Sequence, residues 1–117
     1  LGGEILDRLI SLSKNKDFQR LYKKGKSFVS PVLVVYVLRN HKQTVRIGIT
    51  TSKKIGNAVL RNRSRRVIRE AFMSISERVQ PGFDLVFVAR GKTPYIKSTG
   101  LADNMLKQLR MAGLIIH

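Results

Sequence analysis

Cysteine is absent from this 117-residue chain, which removes disulfides, thiolate metal sites and thiol nucleophiles together and suits a reducing compartment. Acidic residues are scarce: seven Asp and Glu stand against 23 Lys and Arg, giving a formal net charge of +16. The seven (Glu4, Asp7, Asp17, Glu70, Glu77, Asp84 and Asp103) are scattered one by one along the chain. A protein nuclease needs carboxylates or histidines clustered to hold metal ions or move protons, so we read neither a catalytic residue nor a metal-ligand set. His41 falls in a polar turn and His117 is the last residue, and both read as solvated. Long apolar runs are missing too. The longest, Val32 to Leu38, is far short of the roughly 20 residues of a membrane-spanning helix, and the amino-terminal stretch has no apolar signal core. The expectation is a cytoplasmic protein with no membrane contact.

What is present is a 43% hydrophobic content, enough for one packed core, and we expect a single domain over residues 1–117. Lys14-Asn15-Lys16-Asp17 resembles a helix start, with Asn15 as N-cap and Asp17 in the first turn. Phe18, Leu21 and Tyr22 then share one face, and Gly25 can supply a left-handed stop. Val32–Leu38 reads as a central strand, and Val45–Thr51 as a second with Val45, Ile47 and Ile49 on one side; Asn40 and His41 fit the turn between them. A loop over Ser52–Asn57 leads into a helix whose core face is Leu60, Ser64, Val67, Ile68, Ala71, Phe72 and Ile75. Pro81-Gly82 marks a turn, Phe83–Ala89 a strand, and Leu101, Met105, Leu109, Ala112 and Ile116 one face of a last helix. This order predicts a sheet of mixed α/β type with three helices packed against it, in which the strands flanking the second helix run parallel if they are neighbours.

The charge has a focus. Between Phe18 and Arg69 there is no carboxylate, while 14 of the 23 basic side chains fall there. Arg61, Arg65 and Arg69 recur at i, i+4, i+8 beside a row of Asn62 and Arg66. Like charges at that spacing cost an isolated helix about 0.2–0.5 kcal/mol per pair, so the pattern calls for a bound polyanion, and a phosphate backbone fits. A charge run is often only a solvated helix face. Here Glu70 is the one acid beside five arginines, and arginine suits bidentate phosphate contact. Lys53 and Lys54 with Gly56 add donors in the loop before the helix. Phe18, Tyr22 and Tyr36 stand among these basic segments. Each alone reads first as core, but together they can stack unpaired bases. Phe28, Phe72, Phe83 and Phe87 we leave to the core.

Asp17-Phe18-Gln19-Arg20-Leu21-Tyr22-Lys23-Lys24-Gly25, Arg46-Ile47-Gly48-Ile49, the run Ser52-Lys53-Lys54-Ile55-Gly56-Asn57-Ala58-Val59-Leu60-Arg61-Asn62-Arg63 and Arg65-Arg66-Val67-Ile68-Arg69-Glu70 resemble the bacterial ribonuclease P protein family in order and spacing. The resemblance implies a two-layer sandwich like a ribosomal S5 domain, with a left-handed crossover. It implies a catalytic RNA partner that uses RNA-held Mg2+ to remove the 5′ leader of precursor tRNA, one protein per RNA, and a monomer when free. By the same resemblance Lys53, Lys54, Arg61, Asn62, Arg65, Arg66 and Arg69 face the catalytic RNA, while Phe18, Tyr22 and Tyr36 line a leader cleft. Two positions depart from the family pattern. Leu33 replaces an aromatic and could alter packing beneath the cleft; Ser64 replaces a larger apolar residue and should leave its helical turn less tightly buried. The competing reading is a ribosomal-type binding protein, which would share charge and size but would not need Phe18 and Tyr22 at i, i+4. A DNA-binding protein predicts base-edge readout, which nothing here demands.

Overall fold

The computed structural model describes residues 9–116; Glu4, Asp7 and His117 lie outside them. In chain order come β1 (Leu9–Ser11), α1 (Asn15–Lys24), β2 (Lys26–Val29), β3 (Leu33–Arg39), β4 (Val45–Thr50), α2 (Ala58–Ile75), β5 (Phe83–Ala89) and α3 (Ser98–Met111). Short 3-10 turns occupy Lys53–Ile55, Ser76–Arg78 and Thr93–Tyr95. The five strands make one mixed sheet in the order β1-β4-β5-β3-β2. β4 and β5 are parallel neighbours joined through α2, as the sequence pattern requires, and β3 runs antiparallel to β5. The central position belongs to β5, with β3 beside it.

Period-two alternation in β3 divides the molecule. Leu33, Val35 and Val37 point to one face, where with Leu85 and Phe87 they pack against Ile68, Ala71 and Phe72 of α2 and Leu101, Met105 and Leu109 of α3. Tyr36 and Leu38 point to the other, joining Val86, Val88, Leu12 and, from α1, Phe18 and Leu21. Sheet and α2–α3 form two layers, and α1 lies across part of the open face. Leu33 therefore sits in the core on the far side of the sheet from Tyr36, not beneath the cleft.

Several local expectations change. Asn15 is the first helical residue of α1, and the cap is Lys14 with no side-chain hydrogen bond. Gly25 ends α1 at φ −75°, in extended rather than left-handed backbone. Its reason is close approach: a Cβ would lie 2.6 Å from the Leu21 carbonyl oxygen and 2.9 Å from that of Val37. Ser64 is fully buried, its hydroxyl donating to the Leu60 carbonyl at 3.0 Å, so its helical turn packs tightly instead of loosening. The apolar face of α3 ends earlier than expected: Ala112 caps the helix and Ile116 lies beyond it, exposed. Strands β1 and β2 had no apolar pattern to announce them. β2 is mostly exposed at a sheet edge and is held by pairing to β3 through a turn in which the Ser30 hydroxyl accepts from the Val32 and Leu33 N–H groups.

Candidate nucleic-acid interface

The loop between β4 and α2 is a built structure. Ile55 anchors it in the core, leaving Lys53 and Lys54 exposed on a single 3-10 turn. Gly56 adopts φ 136°, and a Cβ there would meet the Leu60 side chain at 2.6 Å, so only glycine fits. Asn57 caps α2, its side-chain oxygen accepting from the Leu60 N–H at 3.0 Å. Arg61 reaches back to donate to the Gly56 carbonyl at 2.7 Å, tying the lysine turn to the helix.

Along α2, Asn62, Arg63, Arg66 and Arg69 are exposed, and Arg61 and Arg65 are half-buried. Arg65 donates to the Asn62 side-chain oxygen at 2.9 Å. The arginines cover the whole outer half of the helix rather than one narrow stripe. Arg61 and Arg63 differ by two residues, about 200° of turn, and so stand on opposite flanks. Arg63 lies outside the i, i+4 rows that sequence spacing picks out. Glu70 makes no ion pair with any of them, so the positive charge of this surface is uncompensated by its one acid.

The three predicted aromatics come together on the opposite face of the sheet. Tyr22 of α1 meets Tyr36 of β3 edge to face, with centroids 5.0 Å apart, and its hydroxyl donates to Thr50 Oγ1 at 3.3 Å. Phe18 lies over β4 at Gly48, where a Cβ would stand 2.6 Å from the ring. Tyr22 is 36% exposed, and Phe18 and Tyr36 are half-buried against the small apolar cluster, so all three rings keep a side toward solvent. Gly48 and Thr50 escaped the sequence reading, although an isolated glycine inside a strand is itself a sign of close approach.

Beyond Phe18 the open face becomes ionic. Asp84 on β5 is 0% exposed. It accepts from Arg46 Nε at 2.7 Å and Nη2 at 2.6 Å, from Arg20 Nη2 at 2.9 Å and from Asn40 Nδ2 at 2.9 Å. Asp17 stands 3.9 Å from Arg46 and 3.6 Å from Arg20. Burial pushes the Asp84 carboxyl up, but the hydrogen bonds from Arg46 and Asn40 and the charges of Arg46 and Arg20 outweigh it and hold the group below the usual carboxylate range. The hydrogen bond to Asp84 in turn raises Arg46. Two acids that looked isolated in sequence thus share two guanidinium groups, those of Arg20 and Arg46. Their oxygens face arginines, a donor set that does not fit a divalent ion, and among the described residues no three His, Asp or Glu side chains gather to hold one. Above the network lies a cavity of about 600 Å³ lined in part by Lys14, Lys16, Asp17, Arg20, Lys42 and Arg46.

A compact mixed sheet with one arginine-covered helix and an aromatic cleft on its other face narrows the field, and comparison of the whole chain decides it. Residues 6–113 match the family model described as Ribonuclease P. The chain belongs to the ribonuclease P protein family. A relative from Clostridioides difficile, the ribonuclease P protein component, is 48% identical over 85 residues, spanning 72% of this chain and 75% of its own length. The solved ribonuclease P protein of Staphylococcus aureus superposes with a TM-score of 0.79 at 36% identity, covering 90% of this chain and 96% of that one. That of Thermotoga maritima gives 0.77 at 28% identity, covering 86% and 96%. The fold is therefore that of the ribonuclease P proteins. Among the described residues no helix is long and apolar enough to cross a membrane.

Proposed function

We propose that this chain is the protein component of a ribonuclease P, binding a catalytic RNA and the 5′ leader of precursor tRNA while the RNA hydrolyses the phosphodiester that joins leader to tRNA. Lys53, Lys54, Arg61, Asn62, Arg65, Arg66 and Arg69 contact the catalytic RNA, with Arg61 also holding the loop in shape. Phe18, Tyr22 and Tyr36 receive unpaired leader bases. Magnesium acts from the RNA, in keeping with the arginine-occupied acids of the protein. The protein contributes charge neutralisation and position: phosphates brought together on a basic surface repel one another less, and a leader fixed on stacked rings places the scissile bond with less loss of freedom in the transition state.

One observation carries the proposal. Tyr22 bonds to Thr50, the last residue of β4, and the chain leaves that residue straight into the Lys53–Lys54 turn and α2. Leader and catalytic RNA would thus be gripped by adjoining parts of one rigid body. The test is cleavage of a leader-bearing precursor tRNA by a bacterial ribonuclease P RNA at low magnesium, with this protein or with an equally basic control protein. Stimulation specific to this protein is expected; stimulation no greater than the control's would leave only generic RNA binding.

A further inference from the structure

Tyr95 is the one large aromatic among the described residues left mostly in water, 70% exposed, and neither the cleft nor the loop before α2 uses it. Its exposure is built in. The 3-10 turn Thr93–Tyr95 is pinned by Thr93, which is fully buried, donates its hydroxyl to the Val32 carbonyl at 2.6 Å and accepts from the Arg90 N–H at 2.8 Å. Pro94 is buried behind it, and the Tyr95 N–H closes the turn on the Lys92 carbonyl at 3.1 Å. A ring presented on so fixed a turn loses little freedom when something stacks on it.

The turn packs beside α2. Arg63, Arg66, Glu70, Pro94, Tyr95 and Lys97 line most of a hollow of about 320 Å³, near the lower end of ligand pockets. A second hollow of about 360 Å³, lined by Val59, Asn62, Arg63 and Arg66, adjoins it across the same two arginines. Among the described residues, the side chains of Arg63 and Arg66 have no hydrogen bond or ion pair, unlike those of Arg61 and Arg65. Two free guanidinium groups beside a displayed aromatic ring are the elements of a nucleotide site: charge for the phosphate, a π-face for the base. Glu70 in the same hollow is an acceptor, so it suits a base edge that carries an amino group.

We propose that Tyr95, Arg63 and Arg66 form a second single-nucleotide site, on the α2 face, that stacks an unpaired base of the catalytic RNA. The proposal rests on the RNA-binding function proposed above and deepens it. The sheet separates this site from the aromatic cleft, so leader and site do not compete.

The test titrates the full-length protein and its Tyr95→Leu, Tyr95→Phe and Arg63→Gln variants against a bacterial ribonuclease P RNA transcript without substrate. Thermal melts confirm that each variant is folded. Tyr95→Leu, which keeps bulk but loses the ring, should weaken binding roughly 5- to 150-fold, the usual range for one stacked base. Tyr95→Phe should stay within about twofold, and Arg63→Gln should lower the steepness of the salt dependence by about one ion. Tyr95→Leu should weaken binding equally whether or not a leader oligonucleotide occupies the cleft. Wild-type affinity in Tyr95→Leu would overturn the site while leaving the proposed function intact. Equal losses in the Leu and Phe variants would overturn stacking in favour of a contact through the hydroxyl. A wild-type protein that binds the transcript no better than a basic control would remove the proposed function and this site with it.

Discussion

The two faces of the sheet are built on different physics. On the α2–α3 face, Phe72, Phe87, Leu101 and Met105 are fully buried and the cohesion is apolar contact; every charge of α2 is turned outward. On the α1 face the apolar cluster is small, the aromatic rings stay half-open, and a buried carboxylate with its guanidinium partners sits beside the cleft, beyond Phe18. One face spends its interior on stability and its exterior on charge. The other places charge and rings inside a groove, where stability and binding draw on the same residues.

The sharpest way to break this contrast is to weaken each face in turn. Phe72→Ala leaves a cavity in the apolar core and should cost about 3–5 kcal/mol, seen as a lower midpoint in denaturant titration. Because the arginines of α2 project away from that core, RNA affinity per folded molecule should hardly move. A large change in affinity at saturating fold would show that the two layers are coupled. Asp84→Asn should cost about 3 kcal/mol, since removing one partner strands Arg46 with its side chain only 15% exposed. On this face the loss should reach function, because Arg46 and Arg20 lose the acceptor that holds them at the cleft.

Acid should separate the faces in the same way. The folded Asp84 carboxyl titrates below its ordinary value of 3.8. Its stabilising share is therefore complete above about pH 4 and is lost as pH falls through the lower folded value. Unfolding free energy measured from about pH 6 down to pH 2 should drop more steeply in the wild-type chain than in Asp84→Asn. Parallel curves would mean that other carboxylates carry the acid response.

A subtler probe is Phe18→Ala, which should weaken binding of a leader-bearing precursor tRNA by about 1–3 kcal/mol if a base stacks there, with a smaller effect on a substrate without leader. Equal losses on both substrates, together with a lowered melting temperature, would assign Phe18 to the small apolar cluster alone.

The contrast also explains what the sequence made legible. The face of α2 was readable because Leu60, Val67, Ile68, Ala71, Phe72 and Ile75 repeat at helical spacing, and β5 because its apolar run is bounded by Pro81-Gly82 and Arg90. The aromatic trio came from residue type and neighbourhood. What stayed hidden was tertiary. Asp84 and Asp17 are 67 residues apart in number and meet only through Arg20 and Arg46, so scattered acids looked idle. Tyr95 follows Pro94 in a stretch with no periodicity, and nothing local says that its turn packs beside α2. β1 and β2 are held by backbone pairing, which leaves no side-chain pattern. Ser64 looked too small to seal its turn, yet its hydroxyl finds a partner in its own helix and is buried as a satisfied group.

The smallest expected effect is the one that best isolates the outer surface of α2. Arg65→Ala removes a half-buried guanidinium whose only side-chain hydrogen bond among the described residues is to the exposed Asn62, so the melting temperature should change little. If that group meets a phosphate of the catalytic RNA, one fewer counterion is released on binding. The slope of log K against log salt should then become shallower by about 0.9, with the affinity loss largest at low salt and shrinking as salt rises. Binding titrations at four or five salt concentrations read this directly. A constant loss at every salt concentration, with the slope unchanged, would mean that Arg65 acts by holding Asn62 in place. The charge on this side of the molecule would then lie with Arg66, Arg69 and the Lys53–Lys54 turn.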